Sequence, residues 1–219
     1  MKKLSKINEN IFDGIGRRSK GGVKRKEDEV ESVDLGLPSG TIWAACNLGA
    51  SSPEEYGNYY AWGETEPKDN YAWETYKFGE KNGSTNKYNI YDRKTILDPE
   101  DDAAHVVLGG KWHMPTRGQI RELFENTNNE HSELNGVKGR LFKSKTNGNT
   151  LFFPYSGIKY RFSVNNIGDQ SYYLSSSINE NSPKFSMILY SNVDNSILDK
   201  GYMCYGYSVR GVWNEEYML

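Results

Sequence analysis

The sequence of 219 residues is poor in the residues that build covalent frameworks and common catalytic centres. It holds two cysteines, Cys46 and Cys204, and three histidines. So few cysteines exclude a disulfide-stapled scaffold and demand no oxidising compartment. His105, His113 and His131 are too widely spread to match a zinc-binding pair. There is no phosphate-binding glycine loop, no dinucleotide glycine pattern and no nucleophile elbow. No run of about 18 apolar residues occurs, so no membrane-spanning helix is expected. No secretory signal is visible, because the basic start lacks a continuous apolar stretch and a small-residue cleavage site. The expected location is therefore the cytoplasm of the producing cell, or a larger particle that carries the chain out.

Aromatic residues and glycine are plentiful, with 16 Tyr, 8 Phe, 5 Trp and 22 Gly. Together with many Asn/Ser clusters, they point to short strands joined by long ordered loops, not to a helical bundle. The length suits one domain with an appendage. The net charge of −2 conceals an asymmetry. Residues 1–26 carry nine Lys/Arg against two acids, a net of +7, and the remainder carries 18 basic and 27 acidic residues, a net of −9. Opposite charges on two regions suggest two tasks.

Within the basic arm, residues 1–32, Leu4, Ile7, Ile11 and Ile15 recur at helical spacing with Phe12 beside them. Gly21-Gly22 would end that helix. A helix this short is marginal in water unless its stripe is buried against a partner. A docking helix for an assembly partner, a disordered tail, and basic contact with nucleic acid or a membrane surface all remain open. Nucleic acid is disfavoured, since the arm lacks interleaved aromatics and the rest of the chain is acidic.

Residues 33–213 read as the folded domain and 214–219 as a tail. Ile42–Ala44 reads as a buried strand running into Cys46, and Tyr59–Trp62 as another. Residues 65–97 lack a period and read as a long ordered loop of functional or family-specific character. Asp98 with Pro99 and the following acids predicts a helix start, with Gly109-Gly110 as its end. Thr116 is the N-cap of a second helix whose apolar face holds Ile120, Leu123 and Phe124. Asn147-Gly148-Asn149 predicts a hairpin between Phe142–Ser144 and Thr150–Phe153. Further strands are expected at Tyr172–Ser175, Phe185–Tyr190 and Tyr207–Val212.

Three segments carry a family resemblance: VDLGLPSGTIWAACNLGASSPEEYGNYYAWGET at 33–65, LDPEDDAAHVVLGGKWHMPT at 97–116 and GYSVRGVW at 206–213. Together they resemble the Fibrobacter succinogenes major paralogous domain, a family common in Bacteroidetes and their phages. The resemblance spans nearly all of 33–213. It implies an α+β, C-type-lectin-like fold, in which two short helices pack on antiparallel sheets with long ordered loops. The fold is distantly akin to the formylglycine-generating, sulfatase-modifying enzymes. It also implies that Trp112-His113-Met114-Pro115-Thr116 turns into the second helix, and that Ser208-Val209-Arg210 is a last core strand pairing near the start of the fold. Family members usually follow a secretion or lipoprotein signal; here the arm stands instead, and it resembles the starts of Bacteroidetes phage proteins.

The related enzymes use neighbouring cysteines with copper near the chain end, where this chain has only Cys204, so no enzymatic activity and no cofactor is expected. Asp98, Glu100, Asp101 and Asp102 could hold Ca²⁺, but capping and helix-dipole roles account for them, and no metal is expected. The window 165–208 contains six Asn, six Tyr and nine Ser among 44 residues. Paratopes use this mixture, and in several lectin-like proteins this stretch displays the ligand surface. An AT-rich genome would give the same composition. The candidate surface comprises Tyr172, Tyr173, Asn179, Asn181, Tyr190, Asn192, Asn195, Tyr202 and Tyr205. The expected function is a non-catalytic module for a protein or glycan ligand, tethered by the arm to an assembly such as a virion. The alternative is a structural virion or cargo protein without an external ligand; a formylglycine-type enzyme is the third reading.

Overall fold

The computed structural model describes residues 29–89, 91–182 and 184–215. The arm with its stripe Leu4, Ile7, Ile11, Phe12 and Ile15 lies outside the described residues. The fold is α+β, and its regular elements among the described residues are mostly strands. No helix among the described residues is long and apolar enough to cross a membrane.

The two ends of the domain meet in one sheet. β1 (Ser32–Asp34) pairs antiparallel with β2 (Ile42–Ala44), which pairs with β12 (Val212–Trp213), which in turn pairs with β3 (Trp112–His113). Trp43 faces Val212 across this junction. A second sheet runs β4 (Thr127–Leu134), β5 (Val137–Ser144) and β6 (Thr150–Pro154). The β4–β5 turn is Asn135-Gly136 with φ of 51° and 83°, the left-handed pair that a tight hairpin requires. The expected hairpin around Asn147-Gly148-Asn149 forms, with Lys143 opposite Thr150. A third sheet runs β9 (Gln170–Ile178), β10 (Phe185–Asn192) and β11 (Ser196–Tyr202), and β7 (Ile158–Tyr160) with β8 (Ser163–Asn165) makes a small hairpin.

Among the described residues, two α-helices pack on these sheets. α2 (Arg117–Asn126) starts as expected at Thr116, whose hydroxyl accepts the Gln119 N–H at 3.2 Å while the Gln119 side chain accepts the Thr116 N–H at 2.9 Å. Ile120 and Leu123 of α2 are fully buried among Phe142, Phe153, Tyr173 and Leu189. The other helix corrects an expectation. Asp98 and Pro99 begin only a 3-10 turn, Pro99–Asp101, and α1 (Ala103–Leu108) is capped by Asp102. The Asp102 carboxylate takes the His105 N–H at 3.0 Å and the Met114 N–H at 2.9 Å. It thereby ties α1 to the chain leaving β3, a task that a carboxylate at Asp98 cannot perform.

Three strand expectations also change. Tyr59–Trp62 contributes a single bridge, Tyr60 to Tyr207. Cys46 lies beyond the end of β2. Tyr207–Val212 is not continuous: Tyr207 and Ser208 bridge to Tyr60 and Tyr173, and the strand proper is only Val212–Trp213. Between them the Val209 and Gly211 carbonyls accept the Leu48 and Ala44 N–H groups. The segment passes from one sheet to another, and buried Arg210 holds the crossing. Arg210 donates to Asn47 Oδ1 (2.9 Å) and to the carbonyls of Ala44 (3.2 Å), Ala45 (2.6 Å) and Phe152 (3.0 Å). Its guanidinium lies 4.8 Å from the Phe153 ring.

The ordered loop at 65–97 has a physical basis. It buries Tyr71, Tyr76, Phe78, Tyr88 and Leu97 in the core with Trp62, Leu174 and Tyr207. Burial of that aromatic area stands in for continuous strand pairing, of which the loop makes only isolated bridges such as Tyr71 with Arg161 and Ile96 with Ser177. The hydroxyls are satisfied: Tyr76 donates to the Trp62 carbonyl at 2.9 Å and Tyr88 to Asp101 Oδ2 at 2.6 Å.

Candidate functional site

Four turns, distant in sequence, converge on one open cleft of about 280 Å³. Trp73 and Glu74 come from a 3-10 turn, Trp73–Thr75, in the long loop. Tyr160 and Arg161 come from the tip of the β7–β8 hairpin, where Arg161 has a φ of 53°. Lys184 precedes β10, and Tyr202, Cys204 and Tyr205 follow from the end of β11.

Backbone hydrogen bonds lock these turns together. The Arg161 N–H donates to the Tyr71 carbonyl at 2.8 Å, and the Tyr71 N–H returns to the Arg161 carbonyl at 3.0 Å. Lys159 and Gly206 exchange the same pair of bonds at 2.8 Å each. The Met203 N–H reaches the Lys184 carbonyl at 3.0 Å, and the Tyr205 N–H reaches the Tyr202 carbonyl at 3.1 Å. Gly206 is required here, because a Cβ would stand 2.9 Å from both Lys159 and Tyr71. A site assembled on fixed turns loses little ordering entropy when it binds.

The walls are aromatic. The Tyr160 and Tyr205 rings lie 4.8 Å apart, Tyr205 and Tyr202 5.3 Å, and Tyr202 and Phe185 4.3 Å. Tyr160 is 40% and Tyr202 43% exposed, so these rings present apolar faces to solvent. Charges of both signs accompany them: Arg161 sits 5.5 Å from the Tyr160 ring, Lys184 5.7 Å from the Trp73 ring, and Glu74 completes the lining. An aromatic hollow with a few convergent polar groups is the usual build of a small-ligand site.

The sequence-derived candidates divide. Tyr202 and Tyr205 line the cleft. Tyr172 and Tyr190 face each other across β9 and β10 with rings 5.1 Å apart, and form a separate half-buried pair. Tyr173 is a correction: it is core, donating to the Pro154 carbonyl at 3.1 Å and accepting from Asn47 Nδ2 at 3.2 Å. Its strand position points inward beside Leu189, opposite to the face of Tyr172. Asn192 shapes the β10–β11 turn by accepting the N–H groups of Asp194 and Asn195 at 2.9 Å each. Asn179 does the same for the Asn181 N–H at 3.1 Å. Asn181 and Asn195 are exposed at those turns, away from the cleft lining. Sequence reasoning did not single out Trp73, Tyr160, Arg161 or Lys184. The available signal was an exposed Tyr-Arg-Phe tip between two short strands.

Both cysteines are free. Burial pushes the Cys204 thiol up to about 11 and also raises Cys46, so neither is poised as a thiolate nucleophile at neutral pH. The acids Asp98, Glu100 and Asp101 cluster closely enough to share a cation, but lysines engage them. Lys87 lies 2.7 Å from Asp98 and 2.5 Å from Asp101, and Lys77 lies 2.6 Å from Asp101. Lys94 pairs with Asp98 at 2.5 Å. Those ion pairs and the Tyr88 hydroxyl hold the Asp101 carboxyl below its usual range against the opposing effect of burial.

No family model, curated protein or solved structure matches the chain.

Proposed function

We propose that the chain is a non-catalytic binding module of the Fibrobacter succinogenes major paralogous domain family. Its fold is C-type-lectin-like, and it takes a protein or glycan ligand in the cleft between Trp73, Tyr160, Tyr202 and Tyr205. The observation that carries the reading is the cleft itself, in which exposed rings on four hydrogen-bonded turns converge. Pairing of β2 with β12 near the two ends, two short helices and a long ordered loop support the lectin-like assignment. The test is a screen of the full chain on glycan and cell-envelope protein arrays. Signals lost in the Tyr202→Ala/Tyr205→Ala double variant support the cleft; signals indifferent to it count against the cleft.

The arm is the proposed tether to a larger assembly, a phage virion being the kind its resemblance suggests, and its +7 charge ahead of a −9 remainder supports that division of labour. The same asymmetry favours the second reading, a structural virion or cargo protein. Deleting residues 2–26 is expected to leave ligand binding intact and to abolish incorporation into the particle. Undiminished co-purification of the truncated chain with its particle would sink the tether.

A further inference from the structure

We infer that the cleft recognises an anionic saccharide, one or two sugar rings bearing a carboxylate or sulfate; this rests on the cleft reading above. The size of the hollow, about 280 Å³, lies near the lower end for small-ligand pockets and suits a compact ring. The lining favours a ring over an extended peptide. Peptides commonly dock by adding main-chain hydrogen bonds to a sheet edge. Here the lining backbone belongs mostly to turns whose N–H and C=O groups are already used, as between Arg161 and Tyr71 and between Lys159 and Gly206. The cleft therefore offers side-chain surfaces. Flat, exposed aromatic faces take up the C–H face of a pyranose by burying apolar area on both partners.

The charge of the ligand follows from the two cations. Arg161 and Lys184 both line the cleft, and among the described residues neither has a carboxylate oxygen within 4.0 Å. Instead each cleft cation rests over an aromatic wall, Arg161 by Tyr160 and Lys184 by Trp73. Arg161 Nε also donates to the Tyr160 hydroxyl at 3.2 Å, and the Glu74 charge acts on Arg161 without closing to an ion pair, so both cations are positioned but not paired. Glu74 is the single lining carboxylate, so the lining carries an excess of one positive charge. A planar guanidinium matches a carboxylate or sulfate with two parallel hydrogen bonds, and a lysine supplies a second, adjustable contact. Glu74 is left to accept from sugar hydroxyls.

The experiment is calorimetric titration of the full chain with three probes: an oligogalacturonate, the neutral galactose oligosaccharide of equal length, and an acidic peptide of equal charge. The uronate is expected to bind at least about tenfold more tightly than the neutral sugar, and to weaken as salt rises. Arg161→Gln and Lys184→Gln each should lower uronate affinity toward the neutral level. Lys138→Gln, at an exposed position of β5, should leave it unchanged. Equal affinity for both sugars, lost in Tyr205→Ala but indifferent to Arg161→Gln, overturns the anionic ligand and leaves the cleft standing. Binding of the peptide alone, or of neither sugar, overturns the saccharide. Sugar binding unchanged by Tyr205→Ala overturns the cleft reading itself.

Discussion

Two fully buried ionisable residues, Arg210 and Asp102, each make a measurable prediction. Arg210 has no carboxylate partner among the described residues; its charge is solvated by one side-chain amide oxygen and three carbonyls. Burial lowers its pKa, though far from neutrality an arginine stays charged. Replacing it with Met would strand those acceptors, each costing roughly 1–3 kcal/mol when left unpaired. Arg210→Met is expected to lose about 3–5 kcal/mol in urea unfolding; a loss below about 1 kcal/mol would show that water replaces the guanidinium easily. Asp102 is the second case. Burial raises its carboxyl to about 6 despite three N–H donors. A carboxyl raised in the folded state stabilises most below its unfolded value of 3.8, and that contribution is lost as pH rises through about 6. Wild type should therefore lose about 2–4 kcal/mol relative to Asp102→Asn between pH 4 and pH 7. A difference that stays flat across that window would mean the carboxyl is not raised. Neither role was legible in the sequence. Arg210 was expected within a last core strand, but its task of joining four acceptors from separate segments was not, and which of four neighbouring acids caps α1 depends on where Met114 returns.

Among the elements, legibility followed burial. α2 was readable because Thr116 caps it and Ile120 and Leu123 repeat on its buried face. Thr116→Ala removes the hydroxyl half of the capping box and leaves the Gln119 side chain on the backbone N–H, and should cost about 1 kcal/mol, seen as a lower thermal midpoint with an unchanged spectrum. The β5–β6 hairpin was readable because Asn147-Gly148 marks its turn and its strands are largely buried. β4 and β11 went unread for one shared reason. Both are edge strands, in the orders β4-β5-β6 and β11-β10-β9, and both are largely exposed. Their sequences, TNNEHSEL and SILDKGY, therefore carry little apolar alternation. Charged and polar edges also discourage unwanted pairing with a second chain. The loop at 65–97 was rightly taken as ordered, but its contribution to the core was not visible, since its Tyr71, Tyr76 and Tyr88 follow no period.

For the molecule as a whole, the division between an acidic domain and a basic arm came from the sequence alone, and the cleft came from the fold. Tyr202 and Tyr205 stood out by composition, whereas Trp73, Tyr160, Arg161 and Lys184 join them only because four turns converge. The central claim is that ligand binds at this convergence and not on the neighbouring Tyr172–Tyr190 pair. The most direct measurement is the affinity of the full chain for the strongest array ligand, compared among wild type, Tyr205→Ala and Tyr190→Ala. The account predicts that Tyr205→Ala weakens binding by at least about thirtyfold, the ~2 kcal/mol typical of a hot-spot aromatic, while Tyr190→Ala changes it less than about threefold. The reverse pattern, with Tyr190→Ala severe and Tyr205→Ala neutral, would contradict it.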